Sequence, residues 1–283
     1  MQRRTYALLL AYDGSPYRGW QRQPPLPTVQ GAVEAALAET LGRKLDLFGA
    51  GRTDAGVHAE AQVAHFHARL PVEVGALQDG LRARLPATIR LRAAAAASDS
   101  FHARSSSVGK RYRYRFSWGP REEPAAAFWL GVAAEPRWER ARDALAGLSK
   151  LPHLSGLASP SKGAKPAPPL ESWSLAIDEE AAPAPGRGLA TLEVKAKAFR
   201  KHQVRNLAGH LAAIALGLAE PSSLAVLARM QRPWRGATAP PHGLTLVEVL
   251  YPPDLDPFRS TGEGQNGADA ALERANTSAA ISR

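Results

Sequence analysis

An aspartate set among glycines is the feature of this sequence best suited to chemistry. The segment GAGRTDAGVHAEAQVAHFH spans residues 49–67 and puts Asp54 near Arg52 and His58. Glycines let the backbone turn sharply and let a ligand come close to it. The Asp54 carboxylate can therefore cap a turn, bind a metal ion or act as a catalytic group.

The first two roles make different demands on the rest of the chain. A turn aspartate needs no partner. A metal ligand needs several converging donors, and the candidates are His58, His65 and His67, of which the last two share one face of a predicted strand. The chain has no cysteine, no HExxH motif and no acidic cluster, so we predict no metal site. Core or solvated positions explain these histidines better.

A catalytic carboxylate in a basic groove is the third role, and the charge of the chain bears on the groove. The chain has 36 lysines and arginines against 26 acidic residues, a net charge of +10 and a pI of about 10.2. A surplus of this size predicts a polyanionic partner, with nucleic acid first and an acidic membrane surface second.

The composition also constrains the compartment. The absence of cysteine excludes disulfides and thiolate zinc sites and fits a reducing compartment. The first apolar run, in MQRRTYALLLAYDG, ends too early for a signal peptide, and no stretch approaches membrane-spanning length. We expect a soluble, cytoplasmic protein with no membrane partner.

Apolar periodicity in the first half of the chain predicts an α+β unit. Strands are predicted at residues 5–12 and 61–70, and helices at residues 27–42 and 74–85. The glycine-rich loop around Asp54 falls between the first helix and the second strand.

The second half repeats this mixture. Strands are predicted at 109–119, 173–177, 189–199 and 243–252, and helices around 138–148, 202–218 and 222–230. The helix at 202–218 should direct these side chains inward: Val204, Leu207, Leu211, Ile214 and Leu218. Residues 159–169 and 181–188 are predicted loops, and residues 254–283 are predicted to be largely disordered.

Eight short motifs, in the same order along the chain, identify a family resemblance. They are YDGSPYRGWQRQ (12–23), TVQ (28–30), GRTDAGVHA (51–59), QVAHF (62–66), FHAR (101–104), KRYRY (110–114), VRNLAG (204–209) and APPHGLTL (239–246). The set closely resembles the TruA-type tRNA pseudouridine synthases. GRTDAGVHA is the most specific of these motifs.

The resemblance implies an isomerase that turns uridine into pseudouridine in the tRNA anticodon stem-loop, at tRNA positions 38 to 40. It also implies two similar α+β subdomains with antiparallel sheets flanked by helices, forming a basic cleft. On this basis we expect subdomains at residues 1–104 and 105–253, followed by the tail. Family members act as homodimers without cofactor or metal, so we expect the same here.

The resemblance assigns three catalytic positions. Asp54 matches the nucleophile, and a carboxylate suits that role because it both attacks and leaves. Arg205 matches the arginine that keeps the aspartate charged and oriented. Tyr112 matches a tyrosine that packs on the target base, although its alternating strand would equally explain a core residue. The sequence leaves open whether Asp54 attacks C6 of the base or C1′ of the sugar.

The target uridine must leave the base stack to reach Asp54, and Arg52 is a candidate to fill the vacated space or bind a phosphate. Further basic residues are candidate contacts to the RNA backbone. They are Arg104, Lys110, Arg111, Arg113, Lys201 and Arg235.

Two regions depart from the family pattern. HLSGLASPSKG, from residue 153, stands where an acidic-aromatic element is common, and FRKHQVRN (199–206) adds Arg200 and Lys201. These departures keep open a paralogue with an altered RNA substrate. Two further alternatives are a non-catalytic RNA-binding protein on the same scaffold and a metal-dependent nuclease built on Asp54 and the histidines.

Overall fold

The computed structural model describes residues 3–119, 126–161, 165–178, 187–230, 234 and 236–259. Within them the fold is α+β, as predicted. The chain forms two compact units. One comprises the chain up to Gly109 and the described residues from Thr245 onward, and the other comprises Lys110–Leu244. The subdomain boundaries predicted after residues 104 and 253 stay a prediction.

The first unit begins with four strands and two helices, and four of these six elements correspond to the predicted strands and helices. They are β1 (Arg4–Tyr12), α1 (Val29–Leu41), β2 (Phe48–Gly49), β3 (His58–Ala68), α2 (Val74–Arg84) and β4 (Ile89–Ala97). Helix α1 begins after Thr28, whose hydroxyl accepts a hydrogen bond from the Gly31 amide, and ends at a left-handed Gly42. The predicted boundaries of this helix are therefore right to within two residues.

Strand β1 lies between β3 and β4 and is paired antiparallel to both. Strand β2 forms a short antiparallel pair with β3, and α2 packs against α1 and β4. The sequence prediction missed β4. Its residues, IRLRAAAAA, end in five alanines, which have little intrinsic preference for strands. Pairing with the apolar β1 makes this segment a strand.

The second unit contains β5 (Gly109–Trp118), β6 (Phe128–Trp129), α3 (Trp138–Ala146), β7 (Ser172–Asp178), β8 (Gly188–Ala196), α4 (Gln203–Ala215) and α5 (Pro221–Arg229). Strand β8 lies antiparallel between β5 and β7. The buried ring of Trp138 lies 5.1 Å from that of Phe116 and 6.0 Å from that of Trp118. These aromatic side chains form the core between α3 and the sheet.

Helix α4 differs from the prediction at its carboxyl end. Val204, Leu207, Leu211 and Ile214 are buried as predicted, but Leu218 is 78% exposed. The helix ends at Ala215, and Gly217 adopts a left-handed conformation that turns the chain away. The inward direction predicted for Leu218 is therefore wrong.

The last strand, β9 (Leu244–Leu250), pairs with β3 in parallel through His58–Thr245 and Ala59–Leu246. The sheet is thus mixed, whereas the family resemblance implied antiparallel sheets. Residues 159–161 and 165–169 form no helix or strand, in line with the predicted loop. Residues 179–186 and 260–283, on which the other loop and tail predictions mostly fall, lie outside the described residues. No helix in the described part of the chain is long and apolar enough to cross a membrane.

Candidate active site

The Asp54 loop connects β2 to β3 and turns at Asp54 itself. The Asp54 carbonyl accepts a hydrogen bond from the Val57 amide at 3.2 Å, and Gly56 has a φ of 77°, which favours glycine. Asp54 is half-buried, whereas Arg52 is exposed. The loop therefore presents a carboxylate and a cation from one short turn.

A second segment, residues 12–20, supports the backbone of this loop. The Trp20 amide donates to the Thr53 carbonyl at 3.1 Å, and the Gly56 amide donates to the Tyr17 carbonyl at 3.3 Å. A Cβ at Gly14 would lie 2.1 Å from the Val57 carbonyl oxygen, and one at Gly19 would lie 2.7 Å from the Thr53 carbonyl oxygen. The glycines of YDGSPYRGW are needed because the two backbones touch.

Tyr112 lies on β5 in the second unit, opposite Val194 of β8. Its side chain is buried, with 8% exposure, and its ring meets that of Phe199 edge to face at 5.1 Å. This aromatic pair fixes the tyrosine ring in one orientation.

Arg205 lies in the first turn of α4 and is bonded in both directions to Ala239. Its Nε donates to the Ala239 carbonyl at 2.8 Å, and the Ala239 amide donates to the Arg205 carbonyl at 3.1 Å. Burial raises the pKa of the Tyr114 hydroxyl, and the nearby Arg205 guanidinium acts against that rise. The bond from Nε to the Ala239 carbonyl therefore holds the guanidinium in a fixed plane.

The segment that holds Arg205 is itself anchored. Thr238 Oγ1 donates to Asn206 Oδ1 at 2.7 Å, and Asn206 Nδ2 donates to the Leu157 carbonyl at 2.8 Å. The Tyr114 hydroxyl donates to the Pro240 carbonyl at 2.8 Å. Asn206 is fully buried, and the sequence analysis assigned it no role. An asparagine on an otherwise apolar helix face was the available signal, since a buried amide requires partners.

Comparison with known proteins identifies the family. The family model described as "tRNA pseudouridine synthase" matches residues 9–104 and 167–252, more than half of the chain. The chain belongs to the tRNA pseudouridine synthase family. Its members are isomerases, so the predicted resemblance and enzyme class are confirmed.

The chain matches curated relatives over nearly the whole length of those proteins. The chain is 38% identical to "tRNA pseudouridine synthase A" of Coxiella burnetii (strain Dugway 5J108-111), over 88% of this chain and 94% of that protein. It is also 38% identical to the protein of that name from Syntrophotalea carbinolica, over 87% and 96%. The corresponding Shewanella sp. (strain MR-7) protein is 36% identical over 87% and 92%.

The candidate RNA-contact residues of this pseudouridine synthase differ in exposure. Arg52, Arg104 and Lys201 are exposed, Lys110 is half-buried and Arg111 is buried. Arg113 forms an ion pair with Glu193 of the neighbouring strand, with Nε and Oε1 2.8 Å apart. Arg235 lies outside the described residues. Arg52, Arg104 and Lys201 are thus the most exposed of the described candidates.

The two units divide the predicted site residues between them. Asp54, Arg52 and Arg104 belong to the first unit, and Asp54 and Arg52 lie in the same loop. Tyr112, Arg205, Lys110, Arg111 and Lys201 belong to the second unit.

The histidines near the Asp54 loop are core and loop residues. His65 is fully buried, and its Nδ1 accepts a hydrogen bond from the Ala103 amide at 3.2 Å. His58 Nδ1 accepts from the Gly14 amide at 3.2 Å. Among the described residues no group of three or more histidine, aspartate or glutamate side chains is arranged to hold a metal ion.

The buried His65 predicts a pH dependence of stability. Burial, reinforced by His102 and His67, lowers the pKa of His65 to about 4, while an unfolded histidine titrates at about 6.5. Between these values the unfolded state binds a proton that the folded state does not. The contribution of His65 to the free energy of unfolding is therefore fully present above pH 6.5. Below pH 6.5 the free energy of unfolding should fall by up to about 1.4 kcal/mol per pH unit.

Chemical denaturation between pH 7.5 and 4.5 measures this effect. His65→Asn is the matched variant, because its Oδ1 can accept the Ala103 bond without titrating. It should show a flatter pH profile than the native protein. Equal slopes for the two proteins would show that His65 is not the group responsible.

Proposed function

We propose that the protein converts uridine to pseudouridine at positions 38–40 of the tRNA anticodon stem-loop, with Asp54 as the nucleophile. The observation that carries this proposal is the Asp54 loop, in which a half-buried carboxylate follows a threonine held through its carbonyl. Relatives named tRNA pseudouridine synthase A support the class of substrate.

The reaction needs a group that attacks and later leaves. The C1′–N1 bond breaks, a C1′–C5 bond forms, the proton on C5 is lost and N1 gains a proton. Atoms and electrons balance without an oxidant, a reductant or a second substrate, so no cofactor is proposed. A carboxylate supplies this chemistry because it is a moderate nucleophile and a competent leaving group.

Arg205 is proposed to hold the Asp54 carboxylate charged and correctly directed. Its Nε is bonded to Ala239, which sets the plane of the guanidinium. A planar guanidinium with a set orientation can grip a carboxylate through two parallel bonds. Tyr112 is proposed to contact the target base, and its fixed contact with Phe199 suits it to define the position of that base.

The tRNA is proposed to bind in a basic cleft, with the target base turned out of the stack. Arg52 would occupy the space that the base leaves. Exposed Arg104 and Lys201 and half-buried Lys110 would contact the phosphate backbone, whereas buried Arg111 is the weakest of these candidates. We further propose that the protein acts as a homodimer in the cytoplasm and needs no metal ion.

Mapping pseudouridine at every uridine of an unmodified tRNA transcript, after incubation with the purified protein, tests this function. Modification confined to positions 38–40 supports the proposal. Modification only elsewhere would indicate a paralogue with a different RNA substrate. Binding without any modification would indicate a non-catalytic RNA-binding protein, and activity lost to a chelator and restored by a metal would contradict the metal-free mechanism.

Affinity for tRNA should fall steeply as salt rises, because phosphate contacts release counterions. Arg104→Ala and Lys201→Ala should each weaken binding and reduce the slope of log affinity against log salt by about 1. Arg84→Ala is the control, since Arg84 is an exposed cation on α2 beside Glu39. Equal slopes for all three variants would remove Arg104 and Lys201 from the binding surface.

A further inference from the structure

A buried pair of hydroxyls lies beneath the Asp54 loop. The hydroxyl of Tyr12 and Oγ1 of Thr53 are 2.9 Å apart, and the two residues are only 5% and 7% exposed. They come from segments 41 positions apart. A buried hydroxyl without a partner would cost stability, so this bond constrains both side chains.

Tyr12 lies next to an irregularity in the pairing of β1 with β3. Leu10 of β1 faces Gln62 of β3, but Tyr12 faces Ala59, so the register shifts between them. Arg92 Nη1 donates to the Glu60 carbonyl in the shifted part of β3 at 3.2 Å. Bulges of this kind redirect side chains and are common beside active sites.

Two further hydrogen bonds hold the backbone at and just before Thr53. The Thr53 carbonyl accepts from the Trp20 amide at 3.1 Å, and Gln62 Nε2 donates to the Gly51 carbonyl at 2.8 Å. Thr53 is therefore fixed through its side chain and its main chain, immediately before Asp54. The direction of the Asp54 side chain depends on the backbone that these bonds hold.

We propose that Tyr12 is a positioning residue for the reaction, holding Thr53 so that the Asp54 carboxylate points at its target. Tyr12 acts through Thr53 and not on the substrate. This inference rests on the proposed role of Asp54 as the nucleophile. A misplacement of about 1 Å at a reacting group can cost about 100-fold in rate, so one bond behind the nucleophile can matter for the chemical step.

Tyr12 is unsuited to act as an acid or base. Burial raises its pKa to about 12, with hydrogen bonding to Thr53 and Gln62 acting in the opposite direction. Its hydroxyl therefore stays protonated throughout the working pH range. The loss of this hydroxyl should change the rate without changing the shape of the pH–rate profile.

The chain contains a matched control in the same segment. The hydroxyl of Tyr17 lies 2.8 Å from Oγ1 of Thr88, which is outside the Asp54 loop. Tyr17→Phe therefore removes the same kind of hydroxyl–hydroxyl bond as Tyr12→Phe, and it keeps the Tyr17 carbonyl that accepts from the Gly56 amide. If stability alone matters, the two variants should behave alike.

The test compares single-turnover rates at saturating tRNA, tRNA dissociation constants and melting temperatures. Tyr12→Phe should lower the single-turnover rate about 10- to 100-fold with tRNA affinity unchanged, and Tyr17→Phe should keep the native rate. Thr53→Val should match Tyr12→Phe, the double variant should be no slower than either one, and Thr53→Ser should restore most of the rate.

Three outcomes would overturn the inference: native rates for Tyr12→Phe, equal losses for Tyr12→Phe and Tyr17→Phe, or a change confined to tRNA affinity. If Tyr12→Phe does not fold, Thr53→Val tests the same bond from its other end. Asp54→Asn in the same assay separates this inference from the proposed function. An active Asp54→Asn would refute the nucleophile, whereas an inactive one beside a fully active Tyr12→Phe would refute only the positioning role.

Discussion

Asp54→Asn is expected to abolish pseudouridine formation while leaving the fold and the affinity for tRNA nearly unchanged. Asparagine has the shape of aspartate but cannot attack carbon and then leave. The loop should persist, because asparagine keeps the backbone carbonyls of Thr53 and Asp54, which accept hydrogen bonds from the Trp20 and Val57 amides. The single-turnover rate should fall by at least about 10⁴-fold.

Asp79→Asn is the matched control for this change. Asp79 is an exposed carboxylate on α2, 4.0 Å from Arg82, and its replacement should not affect turnover. Circular dichroism and tRNA binding establish whether each variant is folded. Near-normal turnover by Asp54→Asn would remove the proposed mechanism.

Arg205→Lys should have the next largest effect, and the loss should be in the chemical step. Lysine keeps the charge but loses the planar, two-pronged grip on a carboxylate. It also lacks the Nε–H that binds the Ala239 carbonyl, so the cation loses its fixed plane. We expect a single-turnover rate at least about 100-fold lower at saturating tRNA, with a small change in the dissociation constant.

Arg200→Lys is the control for Arg205→Lys. Arg200 precedes the same helix, and its guanidinium also donates to a carbonyl, that of Pro166, at 3.0 Å. Arg205→Lys combined with Asp54→Ala should be no slower than Asp54→Ala alone, because partners that act as a unit are not additive. If Arg205→Lys raises only the tRNA dissociation constant, Arg205 is a phosphate contact and Arg52 becomes the next candidate.

Strong local patterns made most elements of the fold predictable. Helix α1 has an apolar stripe, a Thr28 cap and Gly42 as its stop, and all three signals are local. Strand β4 has no such signal, because its alanines become a strand only by pairing with β1. The end of α4 was misjudged at Leu218 because the apolar period continues past Gly217, where the backbone turns.

For the candidate site, the sequence indicated the candidate residues but not the bonds that support them. The motifs marked Asp54, Tyr112 and Arg205, because their residue types and order are specific to the family. They did not reveal the supports behind these residues. The Tyr12–Thr53 bond joins positions 41 apart, and the Asn206–Thr238 bond joins positions 32 apart. Such pairs depend on the tertiary fold, which single-sequence periodicity does not encode.

Release of tritium from C5-labelled uridine in tRNA tests the central claim most directly, since joining C1′ to C5 displaces the hydrogen on C5. One transcript carries uridine at positions 38, 39 and 40, and its partner carries cytidine there, with all other uridines labelled equally. The account predicts that the purified protein releases tritium from the first transcript and none from the second. Equal release from both transcripts, or release that continues undiminished in Asp54→Asn, would contradict it.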